Sequence, residues 1–263
     1  MSFARIRVKP DTLDEENRKF VQHPLSQPLF LNSVPKSGSH LLRNIIRMFV
    51  PVESQYNAEF IQHHFLQQHL AAFDRSQNRL SWGHLFLLEA SRAALAGVRH
   101  VVLVRDPYDW VLARARFVLS NEFEAGMDQL KGPGVSVESV LNLMIEGTRP
   151  QLAPLALTYQ FNAVAWMETG IPLLRYEDLI RALGDLDSAN AERFFTDLFD
   201  VCSIVRPDDW RERVRIGSDR KQSGTARENL TGIGARIPTQ LPEPQKRMVD
   251  AAAPGLRSML GYQ

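Results

Sequence analysis

The chain has 263 residues, 44% of them hydrophobic and 23% charged, with a formal net charge of +1. Such a composition can bury a full core and excludes disordered and collagen-like classes. A net charge so near zero offers no general attraction to polyanions, so nucleic acid is not an expected partner.

A single cysteine, Cys202, excludes an intrachain disulfide framework and a thiolate metal cluster. The segment Met1–Asp14 mixes charges with short apolar runs and lacks the basic, apolar, small-residue order of a signal peptide. The longest apolar runs, such as Val98–Val104, are too short to cross a bilayer. The expectation is a soluble, cytoplasmic chain with no membrane span. It should form one α/β domain over residues 1–263, a central parallel sheet flanked by helices.

In chain order, Pro28–Ser33 predicts a short buried strand, and Leu41, Leu42, Ile45, Ile46 and Phe49 recur at the helical period on one face. Val34-Pro-Lys-Ser-Gly-Ser-His40 joins the two. A glycine at position 38 lets backbone amides converge on an anion. The first-turn N–H groups and the helix dipole hold it, and Lys36 adds a full charge. This is the chemistry of a phosphate loop, but not of the kinase loop. G-x-x-x-x-G-K-[ST] places lysine after its second glycine, followed by a magnesium-binding hydroxyl, whereas Lys36 precedes the glycine. The structural alternative is a plain strand-to-helix turn with Lys36 solvated.

Further along, Ala58–Asp74 predicts a helix that is polar on one side. On such a helix His63, His64 and His69 diverge and are not expected to share a metal. Arg79–Trp82 predicts a strand leading to Gly83 and His84, and Glu89–Ala96 a helix ending near Gly97. His100–Arg105 predicts a central strand covered on both faces. Asp106 and Pro107 open a helix that runs to about Phe117, with Arg114 and Arg116 placed to pair with Glu122 or Glu124.

Glu122–Ser136 predicts a surface loop whose glycine and proline content allows a lid. Val137–Glu146 and Leu155–Glu168 read as helices, Ile171–Leu174 as a strand, and Leu179–Leu183 and Ala189–Asp200 as helices. A last helix follows the irregular stretch Pro238–Pro244. Strands alternating with helices predict a mostly parallel sheet, with its ligand beyond the carboxyl ends of the strands.

Short segments, in a shared order, resemble the sulfotransferases that use 3′-phosphoadenosine 5′-phosphosulfate (PAPS). Pro35-Lys-Ser-Gly-Ser39 is similar to the family's Pro-Lys-Ser-Gly-Thr-Thr loop, and Gly83-His-Leu85 to its strand-end histidine. Val104-Arg-Asp-Pro107 is similar to its Arg-(Asp/Asn)-Pro segment. Tyr176-Glu-Asp178 and Arg220-Lys-Gln-Ser-Gly224 are similar to its C-terminal Tyr-Glu-Asp and Arg-Lys-Gly-x-x-Gly segments.

The resemblance spans about Leu29–Thr231 and implies a P-loop NTPase-like sulfotransferase fold. It implies that His84 is the general base towards an acceptor hydroxyl and that Lys36 lies beside the phosphosulfate. The amides of Ser37, Gly38, Ser39 and His40, with the Ser39 hydroxyl, would hold the 5′-phosphate. Arg105, Arg220 and Lys221 would grip the 3′-phosphate, and Tyr176 would meet adenine. The product is 3′,5′-adenosine bisphosphate (PAP), and no metal is required.

Four positions depart from the family pattern. Leu41 stands where the family has tryptophan, Trp82 for lysine, Ala113 for serine and Gln222 for glycine. The stretches around Tyr56–His69, Trp82 and Phe117–Tyr159 are expected to line the acceptor pocket. Their aromatic and neutral polar content favours a small molecule, lipid or sugar. Two other readings stay open: a small-molecule kinase with an altered loop, and a nucleotide-binding domain without chemistry.

Overall fold

The computed structural model describes residues 5–6, 10–56, 60–120, 123–124, 127–132, 134–148, 152–224, 230 and 232–263. They fall into two compact units. One comprises Pro10–Val104 and Phe161–Ser223, the other Met1–Lys9, Arg105–Gln160 and Gly224–Gln263. The described strands are β1 (Arg5–Ile6), β2 (Leu29–Ser33), β3 (Ile61–Gln62), β4 (Leu80–His84), β5 (Arg99–Val104), β6 (Phe123–Glu124) and β7 (Leu173–Arg175).

In the first unit five strands form a parallel sheet in the order β3-β4-β2-β5-β7. The sheet is central, with helices around it, as the alternating pattern predicts. Every residue of β2 is buried because it has a strand on either side and packing on both faces. Side chains alternate along it. Leu29 and Leu31 join Leu80, Trp82, Val101 and Leu103 in the main core. There they meet residues of the helices Ser39–Arg47, Tyr176–Gly184, Ala189–Cys202 and Trp210–Ser218.

Phe30 and Asn32 point to the other face. Phe30 meets Phe73 edge-on with centroids 5.5 Å apart, and His100 meets Trp166 edge-on at 4.8 Å. The helix Trp210–Ser218 lies directly on the helix Ser39–Arg47. A Cβ at Gly217 would sit 2.7 Å from the Asn44 carbonyl oxygen, so only glycine permits the approach.

Residues Ala58–Asp74 do not form the expected single helix. Ala58 lies outside the described residues; β3 occupies Ile61–Gln62, and a 3₁₀ run follows over His63–Phe73, broken at His69. The edge of β4 takes precedence over helical periodicity here. Gly83 has no side chain to keep the Ile61 backbone away, and a Cβ there would collide with the Ile61 carbonyl oxygen. The expected helix Leu155–Glu168 is also interrupted. It runs as Leu155–Tyr159, widens into a π-helical turn over Gln160–Val164, and returns as Ala165–Met167.

In the second unit the helices Pro107–Val118, Val137–Glu146 and Glu243–Ala252 pack on one another, and β1 pairs antiparallel with β6. Asp106 caps the first of these helices as predicted, accepting the Tyr108 N–H at 2.9 Å, and is paired with Arg257 at 2.8 Å. Among the described residues Arg114 pairs with no acid, and the Glu122 and Glu124 side chains lie outside them. Arg114 is buried over Trp110 and donates to the Met144 and Ala153 carbonyls at 2.9 and 2.8 Å, satisfying the end of the helix Val137–Glu146. Arg116 donates to the Pro238 carbonyl at 2.7 Å, and Glu122 lies outside the described residues.

Cys202 is a packed thiol, its pKa pushed up to about 12 by burial. Among the described residues no helix is long and apolar enough to cross a membrane.

Burial pushes His100 down to about 4 from its ordinary 6.5, so it is neutral in the folded chain. The unfolded chain therefore binds the proton first as pH falls. The stability His100 contributes is complete above pH 6.5 and is lost at about 1.4 kcal/mol per pH unit on the way down to pH 4. His100→Leu is expected to flatten the acid limb of urea-unfolding stability over that window. An unchanged slope would show that His100 is not kept neutral by the fold.

Candidate active site

The loop after β2 begins with the Val34 N–H still donating to Leu103 across the sheet, at 3.0 Å. The chain then turns through two left-handed residues, Lys36 with φ 69° and Gly38 with φ 95°. Left-handed residues within such a turn aim successive N–H groups into one concavity. Lysine in this region costs about 1–2 kcal/mol, so the loop holds its strain at its own cation. The Ser37 hydroxyl is fully buried and has no hydrogen-bond partner among the described residues. The helix Ser39–Arg47 starts immediately after Gly38.

Gly38 is required twice. Besides its left-handed backbone, a Cβ there would lie 2.5 Å from the Tyr176 ring. Tyr176, first residue of the helix Tyr176–Gly184, thus packs against the loop and the edge of the main core.

His84 ends β4 beside the end of β2. Its Nδ1 lies 2.8 Å from the Ser33 carbonyl oxygen, which can only accept, so Nδ1 carries the hydrogen and Nε2 keeps its lone pair. Ser33 Oγ is 3.1 Å from the same ring nitrogen and donates to Ser39 Oγ at 2.8 Å, linking the histidine to the loop helix. Desolvation is the main cause that lowers His84 to about 4. The Lys36 charge lowers it further, while hydrogen bonds to the Ser33 and Gly83 backbone oppose the shift. At neutral pH the ring is an uncharged, oriented base.

Three residues that sequence reasoning missed hold the chain beyond His84. Asn32 Oδ1 accepts the Leu85 N–H at 2.9 Å and its amide donates to the Leu85 carbonyl at 3.1 Å. Asn162 and Trp166 donate to the same carbonyl at 3.3 and 2.9 Å. The signal was present: an asparagine within an otherwise apolar central strand must find partners inside the protein. Asn162 sits in the π-helical turn, whose widening belongs to this contact. Asn32→Ala is expected to lower unfolding free energy by about 2–4 kcal/mol in urea titration, because the Leu85 N–H is left buried and unmet. A loss within measurement error would show that the clamp is not structural.

An aromatic wall lines the carboxyl end of β4. Phe60 lies 5.3 Å from His84 and 5.7 Å from Trp82, and His63 stacks on Phe86 at 4.3 Å. His63 and His64 do not diverge as a helix would require. Their ring centroids are 3.6 Å apart, a consequence of the strand and 3₁₀ backbone. His69 is 3.1 Å from the Tyr56 hydroxyl. Among the described residues no group of His, Cys, Asp or Glu could hold a metal ion.

Arg220 and Lys221 are exposed on the 3₁₀ turn Arg220–Gln222. Asn44 of the loop helix donates to the Gln222 carbonyl at 3.0 Å, and the Gln222 side chain accepts the Thr12 N–H at 3.0 Å. Gln222 thus ties the turn to the helix Ser39–Arg47 and to Thr12. Of the predicted residues, Lys36, Ser37, Gly38, Ser39, His40, His84, Tyr176, Arg220 and Lys221 belong to one unit. Arg105 opens the other, directly after β5, with its carbonyl accepting the Tyr159 hydroxyl at 2.7 Å.

The five-stranded parallel sheet, flanked by helices and with the Val34–Gly38 turn after its middle strand, is an α/β arrangement of the sulfotransferase fold. Mouse sulfotransferase SULT7A1, solved in complex with PAP, is similar with a TM-score of 0.56 and 16% sequence identity, covering 92% of this chain and 85% of that one. A likeness at that identity establishes the fold. No family model matches the chain, and no curated protein is similar to it in sequence.

Proposed function

We propose that the chain is a PAPS-dependent sulfotransferase, one domain over residues 1–263, acting on an acceptor hydroxyl. The observation that carries the reading is the Ser39–Ser33–His84 chain, in which a strained phosphate loop and a neutral, oriented histidine base share one hydrogen-bonded path. The buried, unmet Ser37 hydroxyl and the left-handed Lys36 and Gly38 fit a phosphate group at the loop.

When bound, PAPS supplies a sulfuryl group on a good leaving phosphate. Lys36, the Ser37 hydroxyl and the amides of Gly38, Ser39 and His40 would hold the 5′-phosphate end; the Ser37 N–H, expected to share this task, instead donates to the Val34 carbonyl at 3.1 Å. Arg220 and Lys221 would take the 3′-phosphate through guanidinium and ammonium donors, a role that for Arg105 rests on the sequence resemblance alone. Tyr176, packed on Gly38, would support the loop and present its remaining face to adenine.

His84 Nε2 would take the proton of the acceptor hydroxyl. Lys36 would stabilise the negative charge left on the departing phosphate. The mouse sulfotransferase carrying PAP supports the nucleotide assignment.

The test is transfer of radiolabelled sulfur from PAPS to a panel of phenols, alcohols and sugars in the absence of magnesium. Labelled product, lost on adding excess PAP, is the expected result. Labelling from ATP with magnesium using radiolabelled γ-phosphate, and none from PAPS, would make the chain a kinase instead.

A further inference from the structure

The phosphate-loop helix carries His40 and, three residues on, Arg43, and both side chains meet the same indole. His40 lies edge-on to Trp82 with centroids 4.8 Å apart, and the Arg43 guanidinium carbon stands 4.8 Å from the Trp82 ring centroid. No carboxylate among the described residues pairs with Arg43. The charges of Asp11 and Asp14 reach it, but those acids are bonded to Arg47 at 2.9 and 2.6 Å. The Trp82 indole N–H is buried and likewise has no acceptor among the described residues.

A buried indole N–H without an acceptor among the described residues, beside a half-buried guanidinium on the same ring, is the complement of an anion, since an unmet buried donor costs about 1–3 kcal/mol. Burial, acting first, and the neighbouring Arg47 push the Arg43 guanidinium down to about 10, against the opposing charges of Asp11 and Asp14.

The position of this pair connects it to the chemistry. Trp82 and His84 lie two residues apart on the same face of β4, a separation of about 6.6 Å along the strand. Phe60 spans them, with centroids 5.7 and 5.3 Å away. A ligand whose hydroxyl reaches His84 would extend along Phe60 towards Trp82 and Arg43.

We propose that Arg43 and the Trp82 indole N–H form an anion subsite, and that the acceptor is a hydroxyl compound that also bears a carboxylate. This rests on the sulfotransferase reading. The competing occupant is an oxygen of the nucleotide, and the experiment separates the two.

The full chain is titrated calorimetrically with para-hydroxyphenylacetate and with its uncharged counterpart para-ethylphenol, each with and without PAP. The proteins are wild type, Arg43→Gln, Arg43→Lys and Trp82→Phe. Wild type is expected to bind the acid about tenfold more tightly than the phenol, and Arg43→Gln to bring the two within about twofold of each other. Trp82→Phe weakens the acid alone, Arg43→Lys keeps part of the preference, and PAP affinity is unchanged throughout.

Absence of any preference for the acid in wild type, including no binding at all, overturns the proposal. So does an Arg43→Gln loss shared equally by acid and phenol, or a fall in PAP affinity, which would assign Arg43 to the nucleotide. Failure of wild type to bind PAP instead overturns the sulfotransferase reading, and the titrations without PAP still report on the carboxylate.

Discussion

His84→Ala is expected to lower sulfuryl transfer by about 10²–10⁴-fold while leaving PAP affinity within about twofold of wild type. The separation follows from geometry. His84 bonds through Nδ1 to the Ser33 backbone, which leaves Nε2 as the base and gives the ring no part in binding the nucleotide. Its pKa of about 4 sets the pH dependence. Below that value Nε2 is protonated and cannot act as a base, whereas above it the base is fully available. The acid limb of kcat/KM, which reports the free enzyme, is therefore expected near pH 4 and not at 6.5. Steady-state rates over a buffer series check both statements. An alanine variant that turns over normally would remove His84 from the chemistry.

Gly38→Ala is expected to abolish measurable PAP binding, a loss of about 100-fold or more, and to lower stability by about 2–4 kcal/mol. Alanine at φ 95° is strained, and its Cβ would strike the Tyr176 ring 2.5 Å away, so the loop must shift or Tyr176 must leave its packing. Tyr176→Ala in the same chain relieves the collision but not the backbone strain, and is expected to recover only part of the stability. Calorimetry for PAP and urea unfolding measure the two quantities separately. Wild-type PAP affinity in Gly38→Ala would mean that the loop backbone does not cradle a phosphate.

Much of the fold could be read from local pattern. The strands at Leu29–Ser33 and Arg99–Val104 are dense apolar runs, and the helix after Asp106 carries its own cap and proline, so local signals agree with the final packing. Where tertiary pairing decides, the pattern misleads. Ile61–Gln62 becomes an edge strand because Gly83 admits its backbone, a fact that lies more than twenty residues away in the chain.

The candidate site shows the same division. Lys36, Gly38 and His84 stand out as residue types with a chemical task. Ser33 and Asn32 do not, because their importance lies in what they touch: a histidine nitrogen and the Leu85 peptide. Arg43 reads in sequence as one more charge on a helix. Only the placement of Trp82 beneath it, and the commitment of Asp11 and Asp14 to Arg47, show it to be a cation without a paired carboxylate among the described residues.

The most direct measurement is calorimetric titration of wild type and Lys36→Ala with PAP, AMP and ATP–magnesium under one buffer. The sulfotransferase account predicts tight, metal-independent binding of PAP, much weaker binding of AMP, and loss of PAP affinity in Lys36→Ala. ATP–magnesium binding equal to or better than PAP would contradict it.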